Sequence, residues 1–269
     1  MSYVLEAPVV ENLRFPQHNY IVAVRAPEIA ERTLPGQFVM AAEVGEQTLP
    51  YPLLKRALAV YSVWKEEGRK SVITLLLKAI GDGTRRLAAL QPGDSVSLIG
   101  PLGNGFDSSS AHGKISFLVA GGVGIASVYL LAEDLKQKGQ EVHLIYGGRT
   151  DQDLVGLKDF QDLNIAVFLT TNDGSAGFKG LITDGLKAYL QKFPSQDLMF
   201  YTCGPNAMMK AVSELAAASG IPCQVSVEAK MACGFGVCLG CSVKTIHSYR
   251  LACCYGPVFR AEEIVWEEE

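Results

Sequence analysis

The sequence predicts an α/β plus all-β chain: an N-terminal antiparallel β-barrel, a doubly wound parallel-sheet domain and a small cysteine-rich C-terminal domain. Three observations carry this expectation. Residues 1–107 hold short apolar runs separated by Pro-Gly, Gly-Asp and charged turns. From Lys114 onward, apolar runs alternate with amphipathic helical segments. Five of the seven cysteines fall between residues 233 and 254. At 269 residues the chain is long for a single hydrophobic core, so more than one domain is expected.

In the first region, "NYIVAVRA", "GQFVMAAEV", "LAVYSVW", "SVITLLLKAI" and "DSVSLIG" predict barrel strands, with one short helix over residues 84–90. The composition changes at "DSSSAHGK", residues 107–114, which sets a boundary between domains 1–107 and 108–223. In the second domain "KISFLVA", "EVHLIYG", "NIAVFLTT", "DLMFYTCG" and "CQVSVE" predict strands. "ASVYLLAEDLKQKG" predicts an amphipathic helix closed by Gly139, and further helices are expected over residues 182–193 and 206–219. Strands alternating with helices wind a parallel sheet that binds ligands at the carboxyl ends of its strands. Residues 224–269 form the third domain.

Composition narrows the function classes. Hydrophobic residues make up 48%, charged residues 19%, and the net charge is −4 with no basic block, so no nucleic-acid partner is expected. The start, "MSYVLEAPVVENL", lacks the basic-then-apolar layout of a signal peptide. Residues 115–132 carry no charge, but Gly121, Gly122 and Gly124 interrupt them. They read as a buried strand, a turn and a helix start rather than a membrane span. A cytoplasmic location is expected, where clustered thiols serve as metal ligands rather than a disulfide framework.

The cysteines are the most specific feature. "MACGFGVCLGC", residues 231–241, spaces Cys233, Cys238 and Cys241 as C-x4-C-x2-C, and Cys253 or Cys254 follows after eleven or twelve residues. That is the plant-type order for a [2Fe–2S] cluster held by four thiolates. Gly234, Gly236 and Gly240 free backbone amides to point at the sulfides. Structural zinc usually takes two C-x2-C pairs, and this segment has one. The cluster is therefore expected over a zinc-bearing, non-enzymatic binding module.

Other motifs keep two readings each. "AGGVGIAS" follows a strand and opens a helix, as a pyrophosphate-binding turn does, but Ser127 stands where Gly or Ala is usual; a tight turn without a ligand fits as well. In "YTCGPNAMM", Gly204 and Pro205 form a turn, and the Cys203 thiol is either a small buried hydrophobe or a group beside a nicotinamide. Arg56 together with Gly81, Gly83 and Thr84 of "IGDGT" suits a diphosphate, or a surface arginine and an ordinary capped turn. Arg149 is either a 2′-phosphate contact or a solvated loop residue.

The order barrel, C-G-P-bearing dinucleotide domain and four-cysteine tail resembles the ferredoxin–NADP reductase superfamily. Within it the chain is similar to the electron-transfer subunits of NAD-linked dihydroorotate dehydrogenases, from "PGQF" through "GPLGNGF" and "TNDGSAGFKG" to "GPVFRAEEIVW". The resemblance implies FAD on an Arg-Pro-Phe/Leu-Ser motif, which here reads Arg56-Ala57-Leu58-Ala59. Arg56 would hold the diphosphate and Leu58 would lie against the isoalloxazine, while Ala59 lacks the family's hydroxyl near flavin N5. Leu76, Leu77 and Lys78 match a second FAD-contacting strand, and Gly83-Thr84 its diphosphate turn. NAD(H) would meet Gly121, Gly122, Gly124, Cys203, Gly204 and Pro205. The cluster ligands would be Cys233, Cys238, Cys241 and Cys253, with Cys254 extra and Tyr255 in place of the family's aspartate. The implied function is an electron relay from NAD(H) through FAD and the [2Fe–2S] cluster to an FMN-containing catalytic subunit, in a heterotetramer of two copies of each. That partner would oxidise dihydroorotate to orotate in pyrimidine synthesis. An NAD(P)H-dependent module serving ferredoxin or sulfide is the alternative, and no membrane partner is implied.

Overall fold

A computed structural model describes residues 1–44, 54–194 and 196–266. Six strands close an antiparallel barrel in the order β1-β2-β5-β4-β3-β6. They are β1 (Tyr3–Phe15), β2 (Asn19–Arg25), β3 (Phe38–Glu43), β4 (Arg56–Glu66), β5 (Arg69–Lys78) and β6 (Ser95–Leu102). A one-turn helix α1 (Pro27–Ala30) leaves β2, and α2 (Asp82–Ala89) leaves β5, starting two residues before the expected position. β1 has no counterpart among the apolar runs. Residues 3–9 alternate between inner and outer faces, but apolar Val4 and Pro8 stand on the exposed one, and the register slips between Val9 and Glu11. The barrel core is aliphatic, with Val24, Ile73, Leu75 and Leu98 at its centre.

The second unit alternates β7 (Ile115–Gly121), α3 (Ile125–Gln137), β8 (Val142–Gly148), α4 (Leu157–Asp162), β9 (Ala166–Thr171), β10 (Phe178–Lys179), α5 (Ile182–Leu190), β11 (Leu198–Cys203), α6 (Asn206–Ala218) and β12 (Cys223–Ser226). The central strands are near-continuous apolar runs, as a sheet covered on both faces requires. Side chains of α3 and α4 join one buried cluster and those of α5 and α6 another. The sheet order is β10-β9-β8-β7-β11-β12-β15, so winding reverses between β7 and β11. A crevice opens at the carboxyl ends of strands on either side of such a switch point.

The cysteine-rich segment contributes a short hairpin, β13 (Ser242–Lys244) with β14 (Tyr249–Leu251), and then β15 (Val258–Arg260). β15 pairs antiparallel with β12, so the tail completes the edge of the nucleotide sheet. It is also fastened to the barrel: Asn104 donates from Nδ2 to the Cys254 carbonyl at 3.0 Å and from its backbone N–H to Gly256 O at 2.5 Å. One cluster of buried side chains runs through Phe38 and Met40 of the barrel, Phe117 and Phe200 of the sheet, and Cys241, Ala252 and Cys253 of the tail. Among the described residues no helix is long and apolar enough to cross a membrane.

Barrel and nucleotide unit meet at Tyr61. Its ring packs 4.9 Å from that of Tyr129 on α3, and its hydroxyl donates to the Asp159 carboxylate of α4. Burial, then the Asp159 carboxylate, pushes this phenol well above its usual range, so it remains a donor at any physiological pH. Tyr61→Phe leaves the carboxylate short of one donor and is expected to cost about 1–3 kcal/mol. Thermal or urea unfolding checks this; a loss under about 0.5 kcal/mol would mean that water replaces the phenol.

Candidate redox-cofactor sites

The barrel presents an anion site at the start of α2. A Cβ placed on Gly83 would lie 2.5 Å from Arg56 Nε and 2.7 Å from its Cζ, so the guanidinium lies directly over the glycine backbone. Thr84 Oγ1 accepts from the backbone N–H of Gly81 at 3.1 Å and of Ile80 at 3.2 Å, which shapes the turn. Arg56 Nη1 donates to Leu54 O at 2.5 Å, and among the described residues no carboxylate pairs with this arginine. An unneutralised guanidinium beside a helix N-terminus suits a diphosphate. Arg56, Gly83 and Thr84 are thus brought together. Around them, Leu58 and Leu77 pack against the barrel core. Ala59 and Leu76 belong to the cluster shared with α3, and Ala57 to the one shared with the tail. Lys78 reaches across to the nucleotide unit, with Nζ 3.2 Å from Asp153 Oδ1.

At the switch point lies a cleft of about 670 Å³, lined by Gly121, Gly122 and Val123 at the end of β7, Gly147, Gly148 and Arg149 at the end of β8, and Pro205 and Met208 after β11. Asn19 and Lys78 close it from the barrel. The glycines are demanded by close packing: a Cβ on Gly121 would meet Met208 Sδ at 2.6 Å, and one on Gly124 would meet Cys203 O at 2.4 Å. Bare backbone therefore faces the cleft beside a helix start, the arrangement that lets a pyrophosphate approach. Gly121, Gly122 and Pro205 line this space, whereas Gly124, Cys203 and Gly204 stand behind it. The Cys203 thiol is buried, 3.3 Å from Ser127 Oγ, and burial pushes it up to about 12. It does not reach the cleft, as a small hydrophobe at the end of a covered strand would not.

Sequence reasoning missed Tyr146, at the end of β8. Its buried hydroxyl lies 3.1 Å from Gly122 O, 3.2 Å from Asp153 O and 3.2 Å from Val155 O, and it accepts from the Val155 N–H. One phenol thus ties the glycine turn to the loop after β8. Glu228 also lines the cleft just before the cysteines, and burial of its surroundings raises its pKa. Neither residue has a spacing signal; only the sheet order brings them to the crevice.

The cysteine loop wraps tightly. Gly234 and Gly236 take φ of +84° and +90°, a conformation that favours glycine, and Leu239 takes +61°. The thiols gather as two pairs: Cys233 with Cys238, which share a side-chain hydrogen bond, and Cys241 with Cys253, whose sulfurs are 3.3 Å apart. Cys254 Sγ lies 3.7 Å from Cys253 Sγ but is exposed and turned toward Gly236. Among the described residues no three Cys, His, Asp or Glu side chains converge on one ion. A two-iron cluster needs two thiolates on each iron, which two pairs provide, whereas a structural zinc needs four ligands around one point. Burial raises the Cys233 thiol, yet the N–H groups of Cys238, Phe235 and Val237 outweigh it and hold it at about 6. Converging amides of that kind stabilise an anionic cluster. Phe235, Val237 and Leu239, between the cysteines, are 54%, 74% and 63% exposed.

Comparison with known proteins matches the nucleotide unit and the cysteine tail to known families. Residues 228–265 match a family model described as the iron–sulfur cluster binding domain of dihydroorotate dehydrogenase B, and residues 118–214 match an oxidoreductase NAD-binding domain. The dihydroorotate dehydrogenase B (NAD(+)) electron transfer subunit of Desulforamulus reducens is 35% identical over 99% of this chain and 100% of its own length. That of Caldanaerobacter subterraneus is 34% identical over 99% and 100%. Among solved structures, an NADH-dependent reduced ferredoxin–NADP oxidoreductase shares 28% identity at a TM-score of 0.83, covering 97% of this chain and 90% of its own. A ferredoxin reductase of carbazole 1,9a-dioxygenase, 22% identical at a TM-score of 0.66 over 82% and 67%, shares the fold. With its cysteine tail matched to that iron–sulfur domain and its whole length to these subunits, the chain belongs to the family of dihydroorotate dehydrogenase B (NAD(+)) electron-transfer subunits.

Proposed function

We propose that this chain carries electrons between NAD(H) and an FMN-containing catalytic subunit that oxidises dihydroorotate to orotate, in a heterotetramer with two copies of each. The observation that carries this is the pairing of the four thiols on a loop whose apolar side chains face solvent. When bound, FAD exchanges a hydride with NAD(H) and single electrons with a [2Fe–2S] cluster, which converts two-electron into one-electron chemistry.

The residues of the chain divide the work. Arg56 and the backbone at Gly83 and Thr84 hold the FAD diphosphate. Ala59 leaves flavin N5 without a side-chain donor from this strand. Gly121, Gly122 and Pro205 line the path of the NAD(H) diphosphate, and Tyr146 holds the glycine turn in place. Gly124, Cys203 and Gly204 act from behind by letting strand ends and turn pack closely. Cys233 and Cys238 hold one iron, and Cys241 and Cys253 the other. Phe235, Val237 and Leu239 form an apolar rim through which the partner docks and excludes water near the cluster. A second reading is a module that serves ferredoxin or sulfide, and the similarity to the NADH-dependent ferredoxin–NADP oxidoreductase favours its ferredoxin form.

The ligand assignment has a direct test. Cys253→Ser is expected to remove or destabilise the cluster, and Cys254→Ser to retain it, read as iron and sulfide content after anaerobic purification. The reverse result would make Cys254 the fourth ligand. Function is tested by reconstitution. Alone, the chain is expected to reduce artificial acceptors with NADH and to leave dihydroorotate untouched; with the FMN subunit, NADH should form from dihydroorotate. Cys238→Ser should abolish that coupling while NADH still bleaches the flavin. Dihydroorotate oxidation by this chain alone would refute the relay, and no activity with a verified partner would favour the ferredoxin or sulfide reading.

A further inference from the structure

Strand β3 runs between β4 and β6 of the barrel, and its side chains divide between two cores. Val39 and Ala41 join the aliphatic core of the barrel, whereas Phe38 and Met40 join the buried cluster that includes Cys241, Ala252 and Cys253 of the tail. Met40 is the register partner of Ala57, the residue after Arg56, and Ala57 packs against the same cluster. On its other side Met40 meets the cysteine loop. A Cβ placed on Gly234 would lie 2.5 Å from Met40 Cγ, 3.0 Å from its Sδ and 3.1 Å from Leu102 Cδ1. Gly234 directly follows Cys233. One fully buried side chain, with Leu102 beside it, therefore fills the space between the strand that carries Arg56 and the backbone of the thiol-bearing loop.

The loop cannot close over a smaller side chain at this place. Gly234 holds a φ of +84°, Asn104 fixes the Cys254 and Gly256 carbonyls, and β15 is paired to β12. Truncating Met40 would leave a void whose lining loses its contacts outright. Single electrons tunnel between carriers, and the probability falls exponentially with separation and faster across a gap than through packed atoms. Resting on the reading of this chain as a flavin-to-cluster relay, we propose that Met40 is the positioning residue that sets the contact between the flavin-bearing barrel and the cluster loop, and with it the rate of single-electron transfer. For each NADH oxidised to NAD+ with release of one proton, two electrons cross this contact one after the other. Each reduces the cluster by one electron and leaves it before the next arrives, and Met40 itself is neither oxidised nor reduced. The thioether acts by its volume. Met40 does not line the nucleotide cleft, so hydride exchange with NAD(H) does not depend on it.

The test uses the full chain loaded with FAD and the [2Fe–2S] cluster, and times the two steps separately. Flash photoreduction of the flavin without NADH, followed by cluster absorbance, reads the electron step; anaerobic stopped flow with NADH, followed by flavin bleaching, reads the hydride step. Met40→Ala is expected to slow the electron step by about tenfold to a hundredfold, as an ångström-scale misplacement can, and to leave the hydride step unchanged. The paramagnetic spectrum of the dithionite-reduced cluster should be the same in variant and parent, which shows that the ligands have not moved. Met40→Leu, close to methionine in volume, should restore the parent rate. An unchanged or faster electron step in Met40→Ala would overturn the proposal, and so would an equal slowing of both steps, which marks a general loss of structure. Should Met40→Ala not fold, Met40→Val decides by the same two rates. A parent protein that bleaches with NADH but passes no electron from flavin to cluster would instead remove the relay reading, and the proposal with it.

Discussion

The antiparallel pairing of β15 on β12 is the interaction on which the rest of the molecule depends. A loop that holds a cluster has little core of its own, and its thiols stay in register only if both flanks are anchored. On one flank β15 extends the nucleotide sheet, with Val225 opposite Phe259 and Ser226 opposite Val258. On the other, Gly234 is pressed onto the barrel so closely that a Cβ would meet Met40 Cγ at 2.5 Å. Asn104 joins the two by holding the Cys254 and Gly256 carbonyls. The left-handed conformations at Gly234, Gly236 and Leu239 persist because these contacts over-determine them.

The same packing brings three cofactor sites to one assembly. Winding reverses between β7 and β11, which opens the cleft on the side closed by Lys78 of the barrel. Tyr61 and the cluster around it lock the barrel to α3 and α4, so Ala59 on β4 and Leu76 on β5 stay in one buried group with Tyr146 and Cys203. Electron transfer needs short, fixed separations rather than mobile arms. Here each of the three units is joined to the other two through buried side chains.

Much of this was legible in the sequence. The C-x4-C-x2-C spacing, the alternation of strands and helices after Lys114, and the turn-punctuated barrel region are local patterns, and the ferredoxin-reductase-like fold follows from their order. What was not legible depends on contacts distant in sequence. β1 puts apolar Val4 and Pro8 on its exposed face and bulges between Val9 and Glu11, which blurs the alternation, yet partners on both sides fix it. β15 is three residues long, too short for a periodic signal, and only β12 makes it a strand. The Cys203 thiol could point either way from a strand end, and the covering helix α3 decides that it faces Ser127. Asp153 looks like any loop acid until the sheet places it beside Lys78, some 75 positions away. Nor does spacing say whether Phe235, Val237 and Leu239 face in or out; the glycines between the cysteines turn them outward.

The central claim is that one chain couples a two-electron carrier to a one-electron carrier. An anaerobic reductive titration of the purified protein, followed by visible absorbance and electron paramagnetic resonance, tests it most directly. The account predicts uptake of about three electrons per chain, two bleaching the flavin bands and one producing the paramagnetic signal of a reduced [2Fe–2S] centre. Uptake of about two electrons, with no such signal and with stoichiometric zinc in place of iron, would contradict it.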